Sequence, residues 1–203
     1  PPLSCAQERF WLVDQLDMNV VGQNTAGLMT VYGEFDSARF ESALRAVQSR
    51  HEILRTAIHA GEQGPVQVIM DHPLLETGYI DFVSASGYPE NMVRSADVVM
   101  EGGRFVSVSS DREGGGDYIA AELNDIVYRE GCRSFDFESG SLVRMLVIRI
   151  SDEKHYILLV LHHIVFDGGS VGPLMDEVWS AYLQGSSWSG SALPIQYGDY
   201  ALW

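Results

Sequence analysis

The chain has 203 residues, 46% of them hydrophobic and 10% aromatic, enough apolar material for one domain with a sizeable core and too much for a disordered segment. Thirteen Lys and Arg stand against 28 Asp and Glu, a net charge of −15 that excludes nonspecific binding to nucleic acid or to an anionic membrane, since both need a positive field. Two cysteines do not make a disulfide framework, no stretch is apolar for long enough to span a bilayer, and Pro1-Pro2-Leu3-Ser4 leads straight into a polar helix start, so a cytosolic protein is expected.

Ser4 caps a predicted helix over Cys5–Leu16, which carries Phe10, Leu12, Val13 and Leu16. Residues 26–35 are extended. Asp36–Arg50 is the next helix: Phe40, Leu44 and Val47 recur at helical spacing, and Glu41 and Arg45 are placed to pair at i,i+4. Leu54–Ala60 and Pro65–Met70 form a hairpin-like strand pair, and Tyr79–Val83 is a third extended piece. Arg50 and Arg55 bracket the entry to the first of these strands. A guanidinium fork suits a carboxylate, so both are candidates to pair with a buried acid.

Ser84–Pro89 is a turn cluster, Arg104–Val108 alternates like a strand, and Glu113–Asp117 is a glycine-rich break. Tyr118–Arg133 is a helix that ends near Cys132. Cys132, like Cys5, is expected as a plain buried or half-buried thiol. Leu142–Ile150 and His155–Leu161 read as antiparallel strands around a Ser151–Lys154 turn.

The second of these strands is an unbroken apolar run, the mark of burial on both faces. It exits into His162, His163, Asp167, Gly168 and Gly169. Polar groups at the end of a buried strand are costly unless bonded or used. Successive side chains point to opposite faces, so His162 and His163 cannot both enter one cavity. One belongs to a site and the other is structural. His-His-Asp is a possible metal set, but adjacent strand residues diverge and no fourth ligand stands nearby, so no metal is expected. Ser170–Leu183 is a helix whose amide-rich start points at the His163 loop. A small-residue linker, 184–191, leads to the aromatic segment Tyr197–Trp203.

Several stretches together carry a family resemblance. His162-His163-Ile164-Val165-Phe166-Asp167-Gly168 resembles the HHxxxDG signature of the condensation domains of nonribosomal peptide synthetases, within the chloramphenicol acetyltransferase-like superfamily. Ser4-Cys5-Ala6-Gln7-Glu8-Arg9-Phe10-Trp11 is similar to the family's opening motif, and Arg50-His51-Glu52-Ile53-Leu54-Arg55-Thr56 to its RHExLRT motif, with Ile58 where an aromatic is usual. Phe135–Arg144 resembles the PFDLxxGPLxR connection with the proline and one other position changed, and Tyr197–Trp203 resembles YxDYAxW. The motifs fall in the family's order from one end of the chain to the other.

The resemblance implies an α/β lobe with a mixed, mostly antiparallel sheet and helices packed on it. It implies that residues 1–203 are the N-terminal lobe of a condensation domain, with an insertion around 84–116 and the C-terminal lobe absent. The implied reaction is attack of an acceptor aminoacyl amine on a donor thioester, both substrates riding on the phosphopantetheine of carrier proteins. No cofactor or metal is held by the lobe itself. The implied partners are donor and acceptor carrier proteins and the C-terminal lobe, with no nucleic acid and no membrane. His163 is the expected site-facing histidine and His162 the structural one. Gly168 allows close approach of substrate, and amides near Ser170 are candidates to hold an oxyanion. Asp167 is expected to be buried, turned from the substrate toward Arg50 or Arg55, with Arg9 behind them. Three other readings share parts of the pattern: a coenzyme A- or ester-forming acyltransferase, an epimerisation domain, and a non-catalytic carrier-docking lobe. The opening motif favours condensation over epimerisation, the intact His163 and Asp167 disfavour a degenerate recruitment lobe, and His162-His163 in place of an aspartate pair disfavours cyclisation.

Overall fold

A computed structural model describes residues 1–16, 23–62, 64–82, 96–101, 104–109 and 115–203. The chain begins with α1 (Cys5–Gln15), β1 (Asn24–Tyr32) and α2 (Ser37–Arg50), then the hairpin β2 (Thr56–Gly61) and β3 (Gly64–Ile69), and β4 (Glu76–Asp81). A second hairpin, β5 (Ala96–Glu101) and β6 (Arg104–Ser109), precedes α3 (Gly115–Cys132). The strands β7 (Val143–Ser151) and β8 (Lys154–His162) follow, then α4 (Val171–Gln184) and α5 (Tyr197–Leu202). The expected turn at Ser84–Pro89 and the first two residues of the Glu113–Asp117 break lie outside the described residues; the break's last three residues, from Gly115, are not a break but the first turn of α3.

The central sheet has the order β1-β8-β7-β4. β8 is therefore interior, antiparallel to both β1 and β7. All of its residues from His155 to His162 are buried, as an uninterrupted apolar run requires. β4 joins the far edge parallel to β7, which makes the sheet mixed but mostly antiparallel, as expected. The β2–β3 and β5–β6 hairpins each pair only within themselves among the described strands.

α2 packs on α4. Phe40, Leu44 and Val47 of α2 meet Leu174, Val178 and Ala181 of α4 in one core with Ile157, Leu158 and Val160 of β8. Phe40 sits edge-on to Trp179, ring centroids 5.1 Å apart. The helix starts follow ordinary capping chemistry. Ser4 accepts from the Gln7 amide, the Gln7 side chain accepts from the Ser4 amide, and Asp36 accepts from Arg39 N–H.

Two expectations need correction. The strand predicted from Leu54 begins at Thr56, because Glu52–Arg55 closes into a 3₁₀ turn held by Gln48 Nε2 donating to Leu54 O and Thr56 Oγ1 donating to Glu52 O. Both cysteines are exposed rather than buried. Cys5 opens α1, a helix whose one fully buried side chain is Gln7, and Cys132 ends α3.

Candidate active site

The ladder between β1 and β8 sets the site. His162 pairs with Asn24 and Leu161 with Thr25. Side chains of paired residues share a face, and faces alternate along the strand. His162 thus lies on the face of Asn24, while His163 falls on the face of Leu161 and Thr25.

The two histidines divide as the alternation requires. His162 is 4% exposed. Phe137 meets its ring edge-on at 4.8 Å, with Phe10 and Phe135 farther out at 6.2 and 6.3 Å. Its Nδ1 accepts from the Ile164 amide at 3.0 Å, so its Nε2 carries the hydrogen and donates to Gln23 Oε1 at 3.2 Å. Burial, and then the neighbouring His163, push its pKa down to about 4, so it is neutral at pH 7.

His163 is half-buried. Its backbone amide continues the ladder to Gln23 O at 2.8 Å. Its ring stacks on Phe10, centroids 5.7 Å apart and planes 10° apart. Nδ1 lies 3.2 Å from the carbonyl of Phe166, which can only accept, so the hydrogen sits on Nδ1. Nε2 keeps its lone pair, and the Thr25 hydroxyl stands 3.1 Å from it.

Asp167 is not where the charge argument put it. It is exposed, and it has no arginine partner among the described residues. Its Oδ1 accepts from Ser170 Oγ at 2.6 Å and from the Ser170 amide at 2.9 Å. These two bonds, the side-chain one first, hold its carboxyl below the usual carboxylate range. A carboxylate bonded at a helix start and open to water does not need a buried counter-ion, which is why the expected salt bridge does not form. It also means that the Ser170 amide is committed to Asp167 and is not free to hold an oxyanion.

The arginines serve the scaffold instead. Arg50 pairs with Glu177 of α4, whose other oxygen lies 2.9 Å from His51 Nε2. Arg50 Nε also donates to Ser191 O at 2.8 Å. Arg55 donates to the carbonyls of Ser49 and Met70 and lies 3.7 Å from Glu52. Arg9 is exposed. Gly168 is exposed, and a β-carbon built on it would meet nothing within 4 Å. The glycine is not required by packing within this chain.

The motif segments, far apart in sequence, are bonded to one another. Gln7 of the first donates to Ile164 O in the histidine loop at 3.2 Å. Ser4 Oγ meets the Tyr197 hydroxyl at 2.8 Å. Gln196, just ahead of the last motif, donates to Arg50 O and accepts from the Glu52 amide. Sequence reasoning missed Thr25, Gln23 and the aromatic wall of Phe10 and Phe137 as site residues. Their signal is the strand register, which places Thr25 diagonally from His163 and is visible only once β1 is paired with β8.

An HHxxxDG loop at the exit of an interior strand, on a mixed sheet backed by helices, defines a lobe of the chloramphenicol acetyltransferase type. The condensation-domain family model matches residues 1–97 and 116–203, and the chain belongs to that family. The unmatched residues, 98–115, fall within the 84–116 segment. The whole chain aligns at 33% identity over 205 residues with chondramide synthase cmdD of Chondromyces crocatus, covering 4% of that protein. It aligns at 30% over 205 residues with the isonitrile lipopeptide synthase of Mycobacterium tuberculosis, covering 7%. Among solved structures it is similar in fold to the X-domain from teicoplanin biosynthesis, with TM-score 0.74, 22% identity, and coverage of 100% of this chain and 37% of that one. It is likewise similar to the starter condensation domain of rhizomide synthetase, with TM-score 0.71, 19% identity, and coverage of 99% and 43%. The chain thus spans a few per cent of these curated relatives and under half of these solved chains. No described helix is long and apolar enough to cross a membrane.

Proposed function

We propose that residues 1–203 form the N-terminal lobe of a peptide-bond-forming condensation domain, with 84–116 as an insertion. A C-terminal lobe supplies the opposite wall of the site. The substrates are carried on phosphopantetheine arms of a donor and an acceptor carrier protein. The nitrogen of the acceptor α-amine attacks the carbonyl carbon of the donor thioester. The C–N bond forms and the C–S bond breaks. The amine proton passes through His163 Nε2 to the departing sulfur, leaving an amide and a free carrier thiol.

The observation that carries this reading is the state of His163. It is the half-exposed member of the pair, and the Phe166 carbonyl holds its hydrogen on Nδ1 and leaves Nε2 a lone pair. An amine of pKa about 8 needs little help from a base, so holding the amine in line through Nε2 matters at least as much as taking its proton. Asp167 acts through the loop: by capping the helix start at Ser170 it sets the turn that follows His163. Gly168, with open space over it, leaves room for a pantetheine arm.

The test is single-turnover condensation with loaded carrier proteins in the intact two-lobe domain. His163→Ala should lower the rate by about 10²-fold, the scale of general acid–base and positioning effects, with carrier affinity nearly unchanged. Equal turnover by that variant removes His163 from the mechanism. A larger chemical loss from a folded His162→Ala variant reverses the assignment of the two rings.

A further inference from the structure

We propose that Gln7 is a positioning residue for the condensation reaction. Its buried carboxamide holds the carbonyl of Ile164, the residue after His163, and so fixes the loop on which the His163 ring stands. The inference rests on the assignment of His163 made above.

Gln7 is the one buried side chain of α1, 1% exposed. A carboxamide in that state is costly unless its groups are bonded. Its Oε1 accepts from the Ser4 amide at 3.0 Å. Its Nε2 carries two hydrogens and faces two acceptors, Gln67 Oε1 and Ile164 O, each at 3.2 Å. The Ser4 N–H can only donate and the Ile164 carbonyl can only accept, so the oxygen and nitrogen of Gln7 cannot be exchanged. Gln67 is held in turn, its Nε2 donating to Pro2 O at 2.8 Å, which leaves its Oε1 for Gln7. The helix cap uses only the oxygen of Gln7, and a glutamate serves such a cap as well. The nitrogen is what Ile164 and Gln67 require.

Ile164 is gripped from both sides. Its N–H donates to His162 Nδ1 at 3.0 Å and its carbonyl accepts from Gln7. The Val165 amide closes on His162 O at 3.0 Å, and the His163 ring spans the same loop to Phe166 O at 3.2 Å. The bond to Gln7 thus fixes a peptide that lies between the backbone of His163 and the carbonyl that holds its Nδ1. Phe10, three residues on and on the same face of α1, lies against the His163 ring. α1 therefore holds the loop at its backbone through Gln7 and at the ring through Phe10. Without the Gln7 hydrogens the Ile164 carbonyl is buried with no donor from α1. The loop then shifts to find one, and Nε2 leaves its line to the amine.

The experiment is single-turnover condensation by the intact two-lobe domain with donor- and acceptor-loaded carrier proteins, each rate expressed per folded protein. Gln7→Met keeps the length of the side chain and removes both hydrogens. It should slow the bond-forming step about fivefold, the scale of one hydrogen bond, while the half-saturating concentration of acceptor carrier stays unchanged. Gln7→Glu keeps the oxygen for the Ser4 amide and donates only while protonated. Burial against two oxygens favours the protonated acid, so its rate should be within about twofold of native near pH 6 and fall relative to native as pH rises. Ser4→Ala weakens the start of α1 but leaves the Gln7 hydrogens in place, so it should also stay within about twofold of native. The double variant Gln7→Met/His163→Ala should be no slower than His163→Ala, because the carboxamide acts through the ring.

Native turnover by Gln7→Met with a slow His163→Ala overturns this inference and leaves the reading of His163 standing. So does a Gln7→Glu variant that is already slow near pH 6, a Ser4→Ala variant as slow as Gln7→Met, or a further loss from Gln7→Met in the His163→Ala background. Native turnover by His163→Ala overturns the reading beneath it.

Discussion

His162 and His163 are the same side chain one position apart, and the strand alone makes them different. The apolar run before them and the alternation of a strand are enough to say that one faces the core and the other turns away from it. That much was legible from sequence, and it is how the two are placed. The partner of Asp167 was not legible. The argument from charge assumed burial, and an exposed carboxylate with a serine three residues on has a nearer donor than any arginine. Two measurements follow at this scale. His162 has its pKa lowered by burial first and by His163 second, to about 4 from an unfolded value near 6.5. A lowered folded pKa means that the fold favours the neutral ring. Its contribution is fully present above pH 6.5 and is lost as pH falls toward 4, about 3 kcal/mol in all. Urea unfolding across that window should show the native chain losing more stability than His162→Asn, which keeps an acceptor for the Ile164 amide and does not titrate there. Parallel pH curves would show that the buried ring is not the source. In the second measurement, a double-mutant cycle, Arg50 and Glu177 should be coupled by about 1 kcal/mol, the scale of a part-buried charged pair, and Arg50 and Asp167 by nothing measurable.

The elements show where sequence periodicity is a good guide and where it stops. α2, α4 and β8 lie within a residue or two of their expected bounds, because each has a strong apolar pattern and clear ends. The start of β2 was misread because Glu52–Arg55 is a single 3₁₀ turn, too short to carry a period. The parallel docking of β4 on β7 has no local signal at all, since pairing partners far apart in sequence leave no mark on either strand. The loop between β8 and α4 belongs to this scale too. Asp167 caps the helix start by accepting from the Ser170 amide. Asp167→Ala should therefore cost about 1 kcal/mol, as loss of a cap does. Asp167→Asn, which keeps an acceptor oxygen, should recover most of it. Thermal unfolding of the two variants decides the matter: equal, large losses from both would point back to a buried ion pair, and a small loss from Ala with recovery by Asn to the cap.

At the scale of the molecule, the sequence motifs turn out to be one hydrogen-bonded assembly. Gln7 reaches the histidine loop, Ser4 reaches Tyr197, and Gln196 reaches both ends of the Arg50–Glu52 segment. Their order along the chain was readable, but the bonds that join them were not, because each joins side chain to loop across the fold. On the two-lobe reading proposed above, this assembly is a single wall of the site. His163 is half-exposed, Gly168 and Asp167 are exposed, and the space over Gly168 is open to at least 4 Å. Condensation of two tethered substrates depends on holding amine and thioester in line, worth about 7–11 kcal/mol in well-oriented cases. A single wall leaves the second substrate free to tumble and water free to reach the thioester. Residues 1–203 by themselves should therefore give no measurable amide from donor- and acceptor-loaded carrier proteins, although the hydrogen of His163 is already held on Nδ1 by the Phe166 carbonyl. Supplying a C-terminal lobe as a separate polypeptide should restore turnover in a concentration-dependent way, and His163→Ala in this chain should abolish the restored part. Full turnover from residues 1–203 without that addition would mean that one wall is sufficient, and the site would have to be sought entirely among the residues around His163.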